Sequence, residues 1–392
     1  MSLKSRFHLP EGHYFLSHSV GAMPKGCEAA ASEFLGAWKH QGGDAWPVWL
    51  EGVELFLQQL AALTRVPASG FCPQLNLSSA LSKLVGALPN AKPGQRILAT
   101  ELDFPSMGFV LQQAEKKGYR LQLLEPQAGL VSLSQWQQAL GEDVALAFIT
   151  HAISETGQLQ SVSEICALAR SLGVMTVVDI AQSLGVIPID LGQWQADAVL
   201  GSCVKWCCAG PGAAFLWLSD KLAQTLEPVD LGWFSHEAPF EFDIHDFRYA
   251  KGAKRFWGGT PSVLPYMLAA ASLQQLRAFG DSQIYQHNQR LGQGILDCAL
   301  SHELKVVTPN ISGERSGTVV VDFADRQAAQ QVFNRLGIKT DLRPRFGFRF
   351  SPHIYTDGED MEVLLQGLRQ LAGKRPDRLG AGSRADPDET HS

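Results

Sequence analysis

Between about residues 95 and 220 the chain alternates short, wholly apolar runs with helical patterns, and this alternation limits the possible folds more than any other feature. Arg96-Ile-Leu-Ala-Thr100, Ala145-Leu-Ala-Phe-Ile-Thr150, Val174-Met-Thr-Val-Val-Asp179, Asp197-Ala-Val-Leu-Gly201 and Ala213-Ala-Phe-Leu-Trp-Leu218 read as strands. A strand with one wet face alternates polar and apolar residues; these are apolar throughout, as in a sheet covered on both sides. Between two of them, Ser161-Val-Ser-Glu164 opens an apolar stripe that stops at Gly173, which predicts a helix with a capping box and a glycine C-cap. Strand, helix and strand in repetition predict an α/β protein: a large domain whose mostly parallel sheet is sandwiched by helices.

The rest of the chain has a different character. Residues 262–300 carry Leu and Ala at helical spacing, and Gly317-Thr-Val-Val-Val-Asp-Phe323, a helix over about 326–336 and Phe348-Arg-Phe-Ser351 predict a small α+β domain. With 392 residues there is room for two cores. The expected division is 1–60 as an N-terminal segment joining the small domain with helices, 61–275 as the large domain, 276–372 as the small domain, and 373–392 as a disordered tail with one large apolar residue. The net charge of -6 without a basic stripe gives no reason to expect nucleic acid or an anionic membrane. No apolar run approaches 18 residues and the first residues lack a secretory h-region, so a cytoplasmic protein is expected. Seven cysteines, an odd number in a long chain, argue against a disulfide framework. Cys203, Cys207 and Cys208 lack metal-site spacing and read as small packed thiols; no metal is expected.

Lys205 follows the fourth apolar run, walled in by Cys203-Val on one side and Trp206-Cys-Cys-Ala-Gly-Pro-Gly212 on the other. Desolvation lowers a lysine's pKa and makes its amine nucleophilic enough for a Schiff base with an aldehyde cofactor. The preceding apolar run ends in Asp179, and an acid there with a lysine in the next loop supplies the two anchors pyridoxal 5'-phosphate needs. Asp179 would keep the pyridine nitrogen protonated, and Gln182 could donate to the phenolic oxygen. Asn76-Leu-Ser78-Ser79 opens an amphipathic helix, whose first-turn N–H groups suit a phosphate, though ordinary capping explains the same residues. Phe104, just after a strand, could lie on the ring face or simply fill the core. Arg349 sits among apolar residues, and a buried arginine calls for a carboxylate, which an amino-acid substrate would bring.

Asp179-Ile-Ala-Gln-Ser183 and Arg349-Phe-Ser-Pro-His-Ile-Tyr355 together resemble the class V aminotransferase superfamily of fold type I pyridoxal-phosphate enzymes, over roughly residues 14–370. Phe104-Pro-Ser, Gly210-Pro-Gly-Ala-Ala-Phe-Leu-Trp217, Gly232-Trp-Phe-Ser-His236 and Arg255-Phe-Trp-Gly-Gly-Thr-Pro261 are more similar to kynureninase. The resemblance implies a Schiff base at Lys205, Asp179 on the ring nitrogen, Gln182 on the phenolic oxygen and Phe104 stacked on the ring. It further implies phosphate held by Ser202 and the Ser78/Ser79 turn, Thr260 reaching the phosphate of the neighbouring subunit of a homodimer, and Arg349 on the carboxylate of a free amino acid.

Kynureninases carry His where Gln182 stands, and Tyr or His where Val204 stands. Their Phe-Pro-Thr-Asp and Asn-Tyr-Arg-Thr-Gly become Phe104-Pro-Ser-Met107 and Ile153-Ser-Glu-Thr-Gly157. Each change removes a polar contact. A class V aminotransferase reaction is therefore the first expectation, with kynureninase-like cleavage of a Cβ–Cγ bond as the alternative. The cysteine desulfurase branch needs a cysteine on a C-terminal loop, and the only cysteine beyond 208 is Cys298, in a helical stretch. A nicotinamide dehydrogenase lacks its GxGxxG after any expected strand.

Overall fold

The computed structural model describes residues 3–372. Its larger sheet has seven strands: β1 Phe71–Gln74, β2 Arg96–Thr100, β3 Arg120–Leu124, β4 Val144–Thr150, β5 Met175–Asp179, β6 Ala198–Ser202 and β7 Ala214–Leu218. Their spatial order is β1-β7-β6-β5-β4-β2-β3. The neighbours from β6 through β3 run parallel, whereas β7 lies antiparallel to both β6 and β1. The five apolar runs are β2, β4, β5, β6 and β7, and helices cover both faces with two large buried clusters. The two remaining strands escape a pattern search for physical reasons. β1 contains Pro73, which only an edge or end strand tolerates, and β3 forms the opposite edge, where Arg120 and Leu123 are exposed.

The helix expected after Ser161 forms over Val162–Ser171 and ends at Gly173, whose φ of 71° is the left-handed stop. Its capping box does not form: Ser161 has ψ near 67° and makes no side-chain cap bond. The long helical stretch after 262 is two helices, Val263–Phe279 and Asp281–Ser301, broken at Gly280 with φ 88°.

A second sheet joins Lys305–Val306, Val319–Asp322, Gly347–Phe350 and Asp341–Arg343, all antiparallel, in that spatial order. Helices Asp281–Ser301, Arg326–Arg335 and Gly358–Ala372 close its core around Phe333, Phe348 and Phe350. The expected home of the N-terminal helices needs correction. Helices Gly26–Gln41 and Trp46–Thr64 pack on helix Val263–Phe279, and Val53, Phe56, Leu57 and Leu60 enter the core of the large sheet. Only the stretch before them joins the small sheet region: His13–Tyr14 pairs with Ile338–Lys339, and Leu16 bridges Ser351. The tail expected over 373–392 lies outside the described residues. Among those described, no helix is long and apolar enough to cross a membrane, and all seven cysteines are free and buried.

Candidate active site

Parallel strands release their last residues at one edge of the sheet, and ligands bind in the crevice outside those carboxyl ends. Here β4 and β5 end in register, Thr150 beside Asp179, with Leu200 of β6 next in line. The loop after β6 carries Lys205. It is a tight turn in which the Cys208 N–H donates to the Lys205 carbonyl at 2.9 Å, with Cys208 at φ 56°.

Four segments hold this turn in place, one of them helix Val263–Phe279, whose Ser272 hydroxyl donates to the Cys207 carbonyl at 2.6 Å. The N-terminal segment does so through Gly21, whose N–H donates to the Val204 carbonyl at 2.9 Å. A Cβ at Gly21 would stand 2.1 Å from the Lys205 carbonyl oxygen, so only glycine allows that approach. Gln182 accepts from the buried Trp206 indole N–H at 3.1 Å. His353 takes the Ile354 N–H on Nδ1, which leaves Nε2 to donate to the Trp206 carbonyl at 2.9 Å. Burial brings His353 down to about 4, so it serves as a neutral donor.

Lys205 is half-buried, and its Nζ lies 5.7 Å from the centre of the Phe104 ring. Burial lowers its pKa to about 8; Asp179 opposes that, and Arg349 and Arg343 add to it. Phe104 leads into helix Pro105–Gln112 and is 45% exposed, a large apolar ring with an uncovered face at the mouth of the crevice. Asp179 is buried at the end of β5, and one oxygen accepts the Ala181 N–H at 2.7 Å. Its other oxygen accepts no hydrogen bond among the described residues. Lys205 likewise has no hydrogen-bond or carboxylate partner there. A half-buried amine and a buried carboxylate, both incompletely satisfied beside an exposed aromatic ring, fit a flat cationic heterocycle carrying an aldehyde.

The remaining expected residues fall as follows. Asn76 caps helix Leu77–Ala87 by accepting the Ser79 N–H at 2.8 Å, and the amides of Leu77 and Ser78 precede the helix's own ladder. Ser79 and Thr260 line one cleft of about 330 Å³ within the same chain, and Thr260 Oγ accepts from the Trp233 indole at 3.1 Å. Ser202 is the last residue of β6, paired with Ala214. Gln182 has its amide nitrogen on the His18 carbonyl at 3.0 Å and its oxygen on Trp206, so part of its bonding capacity serves the protein itself. Arg349 is 1% exposed, and the carboxylate its burial calls for is already in the chain: Asp341 accepts from Arg349 Nε at 2.8 Å and from Nη2 as well. Arg349 Nη1 donates to the Ser154 carbonyl at 3.0 Å.

Several residues of this crevice were not visible in the sequence. Asp103, one residue before Phe104, accepts from the Thr150 hydroxyl at 2.6 Å and the Thr100 N–H at 2.8 Å. Burial, with Asp179 nearby, pushes it up to about 7. His151 follows β4, buried, with Nδ1 on the Ser183 hydroxyl at 2.9 Å. His18 reaches Asp341 from the N-terminal segment at 2.9 Å. Arg343 lies on the same hairpin as Arg349, and its Nε is buried with no partner. Nothing local marks His18 or His151.

Comparison with known proteins agrees with this geometry. Residues 78–341 match the family described as Aminotransferase class-V, two thirds of the chain and most of the large domain. The chain belongs to the class-V aminotransferase family. That family depends on pyridoxal phosphate. An uncharacterized aminotransferase of Bacillus subtilis (strain 168) is 26% identical, covering 92% of this chain and 98% of its own. A kynureninase of Pseudomonas fluorescens is also 26% identical, covering 95% of this chain and 92% of its own. Among solved structures, the cystine C-S lyase C-DES, as a K223A mutant with glycine covalently linked to the PLP cofactor, has a TM-score of 0.86 at 20% identity. It covers 95% of this class-V chain and all of its own. The cysteine desulfurase of Thermococcus onnurineus NA1 has a TM-score of 0.83 at 19% identity, covering 93% and 95%. These two likenesses establish the fold.

Proposed function

We propose that this class-V protein is a pyridoxal-phosphate-dependent enzyme that acts on a free amino acid through a Schiff base at Lys205, in an aminotransferase-type reaction. The observation that carries this reading is the pairing of the Lys205 amine, brought down to about 8, with the incompletely satisfied Asp179 at the end of the neighbouring strand. The bound cofactor would supply an electron-withdrawing ring that takes up charge from the substrate α-carbon. The chain's own residues do the rest. Asp179 faces the ring nitrogen and holds a proton there. Phe104 covers one ring face, and Gln182 serves the phenolic oxygen with the amide hydrogen left over from His18. Ser78, Ser79 and Ser202 hold the phosphate, and Thr260 adds to it from a second copy of the chain. Lys205 Nζ then carries the α-proton, a task suited to an amine with a pKa near the working pH. Arg349 takes the substrate carboxylate.

A homodimer is part of the reading. Val229, Leu231, Phe240, Phe242, Ile244 and Phe247 are exposed apolar residues in one stretch near Thr260, a patch suited to burial against a second copy. Kynureninase-like hydrolysis of a Cβ–Cγ bond is the second reading, favoured by the near full-length match to the Pseudomonas fluorescens enzyme. The desulfurase branch has little support: Cys298 is buried in helix Asp281–Ser301, and burial raises its thiol.

The purified protein should be yellow, and Lys205→Ala should abolish the absorption band. A colourless protein that takes up no pyridoxal phosphate overturns the reading. Mixing with alanine, serine and kynurenine separates the reactions: conversion of the coenzyme to its amine form marks a transaminase, and release of anthranilate marks the hydrolase.

A further inference from the structure

Asp341 and Arg349 face each other across the hairpin formed by Asp341–Arg343 and Gly347–Phe350, so both side chains leave the same face of the small sheet. Guanidinium groups present five N–H donors in a fixed plane. Asp341 takes the side edge of that plane, Nε with Nη2, and the Ser154 carbonyl takes one hydrogen of Nη1. Nη1 and Nη2 each keep one further hydrogen, the donors a second carboxylate needs. Asp341 is itself fixed from behind. An ionised carboxylate only accepts, so His18 donates to it from Nε2 at 2.9 Å, and His18 Nδ1 then accepts from the Ser351 hydroxyl at 2.6 Å. Ser351 in turn lies 2.8 Å from the Thr318 hydroxyl. Thr318, Ser351, His18 and Arg349 are all at most 4% exposed, while the Asp341 side chain keeps 33% of its surface open. Burial keeps His18 neutral, at about 4, even beside Asp341. Burial also works against the Asp341 charge, yet hydrogen bonds from Arg349 and His18 hold that carboxyl well below its ordinary range.

We infer that Asp341, held by His18, is a positioning residue: it pins the side edge of Arg349 so that the remaining Nη1 and Nη2 donors meet the substrate carboxylate in one orientation relative to Lys205. This rests on the proposed reading of Arg349 as the carboxylate-binding group.

The test uses the holoenzyme, with the cofactor absorption followed on titration with L-alanine, L-serine or L-kynurenine and with the matching carboxamide. In the wild type the acid should bind more tightly than the amide. Asp341→Asn should cut that preference about tenfold while leaving the resting band in place. His18→Gln, which keeps a donor toward Asp341, should retain the preference, and His18→Leu should lose it. A purely structural role would lower the melting temperature without changing the acid-to-amide ratio, and that result overturns the inference. A second readout needs neither substrate nor cofactor chemistry. The 15N spectrum of the full chain should show a slowly exchanging Arg Nε–H that disappears in both Asp341→Asn and Arg349→Lys. Its absence from the wild type also overturns the inference. A wild type without the absorption band defeats the cofactor reading instead, and leaves the spectrum to decide whether Asp341 holds Arg349.

Discussion

At Asp179, burial pushes the carboxyl up, while the Ala181 N–H and the Lys205 charge pull it back. At Lys205 the same burial pushes the amine down, to about 8. A cationic ring held by Asp179 would relieve the acid. Asp179→Asn keeps the shape and removes the charge, so kcat should fall about a hundredfold with little change in melting temperature. A variant with unchanged kcat would show that the ring nitrogen finds its proton elsewhere. Lys205 and Asp179 were legible in the sequence because Asp179 ends an apolar strand and Lys205 follows one closely, where a charged residue stands out. Arg349 was legible only by half. Its burial could be read, but its partner could not, because Asp341 meets it through hairpin register rather than through a recognisable motif.

The Lys205 turn shows how little of an element's geometry is local. Its own residues provide two N–H to carbonyl bonds, Cys208 to Lys205 and Ala209 to Cys203, and a positive φ at Cys208. Its position comes from Gly21, Gln182, Ser272 and His353, four segments far apart in the chain. The Ser-Pro-His-x-Tyr element after Arg349 therefore has a structural job: His353 stacks between Trp206 and Tyr355, with ring centres 5.8 and 4.9 Å away. Gly21→Ala would drive a methyl group into the Lys205 carbonyl, an overpacking cost of about 1–3 kcal/mol. A lower melting temperature together with weaker uptake of pyridoxal phosphate is the expected result. A loss of stability with normal uptake would mean the turn does not transmit the clash to Nζ. The helix after Ser161 teaches the converse. Its Ser-x-x-Glu signature predicted the element correctly, but not its cap, since the chain enters the helix in a conformation that turns the hydroxyl away.

At the scale of the molecule, three buried histidines among the described residues stay neutral: His18 at about 4, His151 at about 3 and His353 at about 4, each because burial penalises the charged ring. Unfolded, each would bind a proton near pH 6.5. Between about pH 6.5 and 4 the unfolded chain thus holds more protons on these groups, and stability falls as the solution is acidified. Asp103, raised to about 7, and Asp179 and Asp281, also raised by burial, work in the opposite direction, while the lowered His287 and Asp341 side with the three histidines. Urea midpoints should drop between pH 7 and pH 4.5; a flat profile would mean the histidines are hydrated in solution. The exposed patch calls for a different measurement. Ile244 is 92% and Phe242 75% exposed. Sedimentation should show a dimer, and Phe242→Asp with Ile244→Asp should yield a folded monomer with lost or weakened cofactor retention. A wild-type monomer would remove the second copy from the proposed site.

The sequence by itself determined the α/β class, the five central strands and the lysine and aspartate at their ends, because a doubly covered parallel sheet needs continuous apolar runs and has only its strand ends for chemistry. It also marked Phe104 and the first turn at Ser78. Only the tertiary structure decided where the N-terminal helices pack, which side chains hold the Lys205 turn, and that Arg349 is already bound to Asp341 with His18 behind it. These are contacts between segments up to more than 300 residues apart. Such pairing is set by how the two sheets and the N-terminal segment meet, and no periodicity or spacing along one chain encodes it.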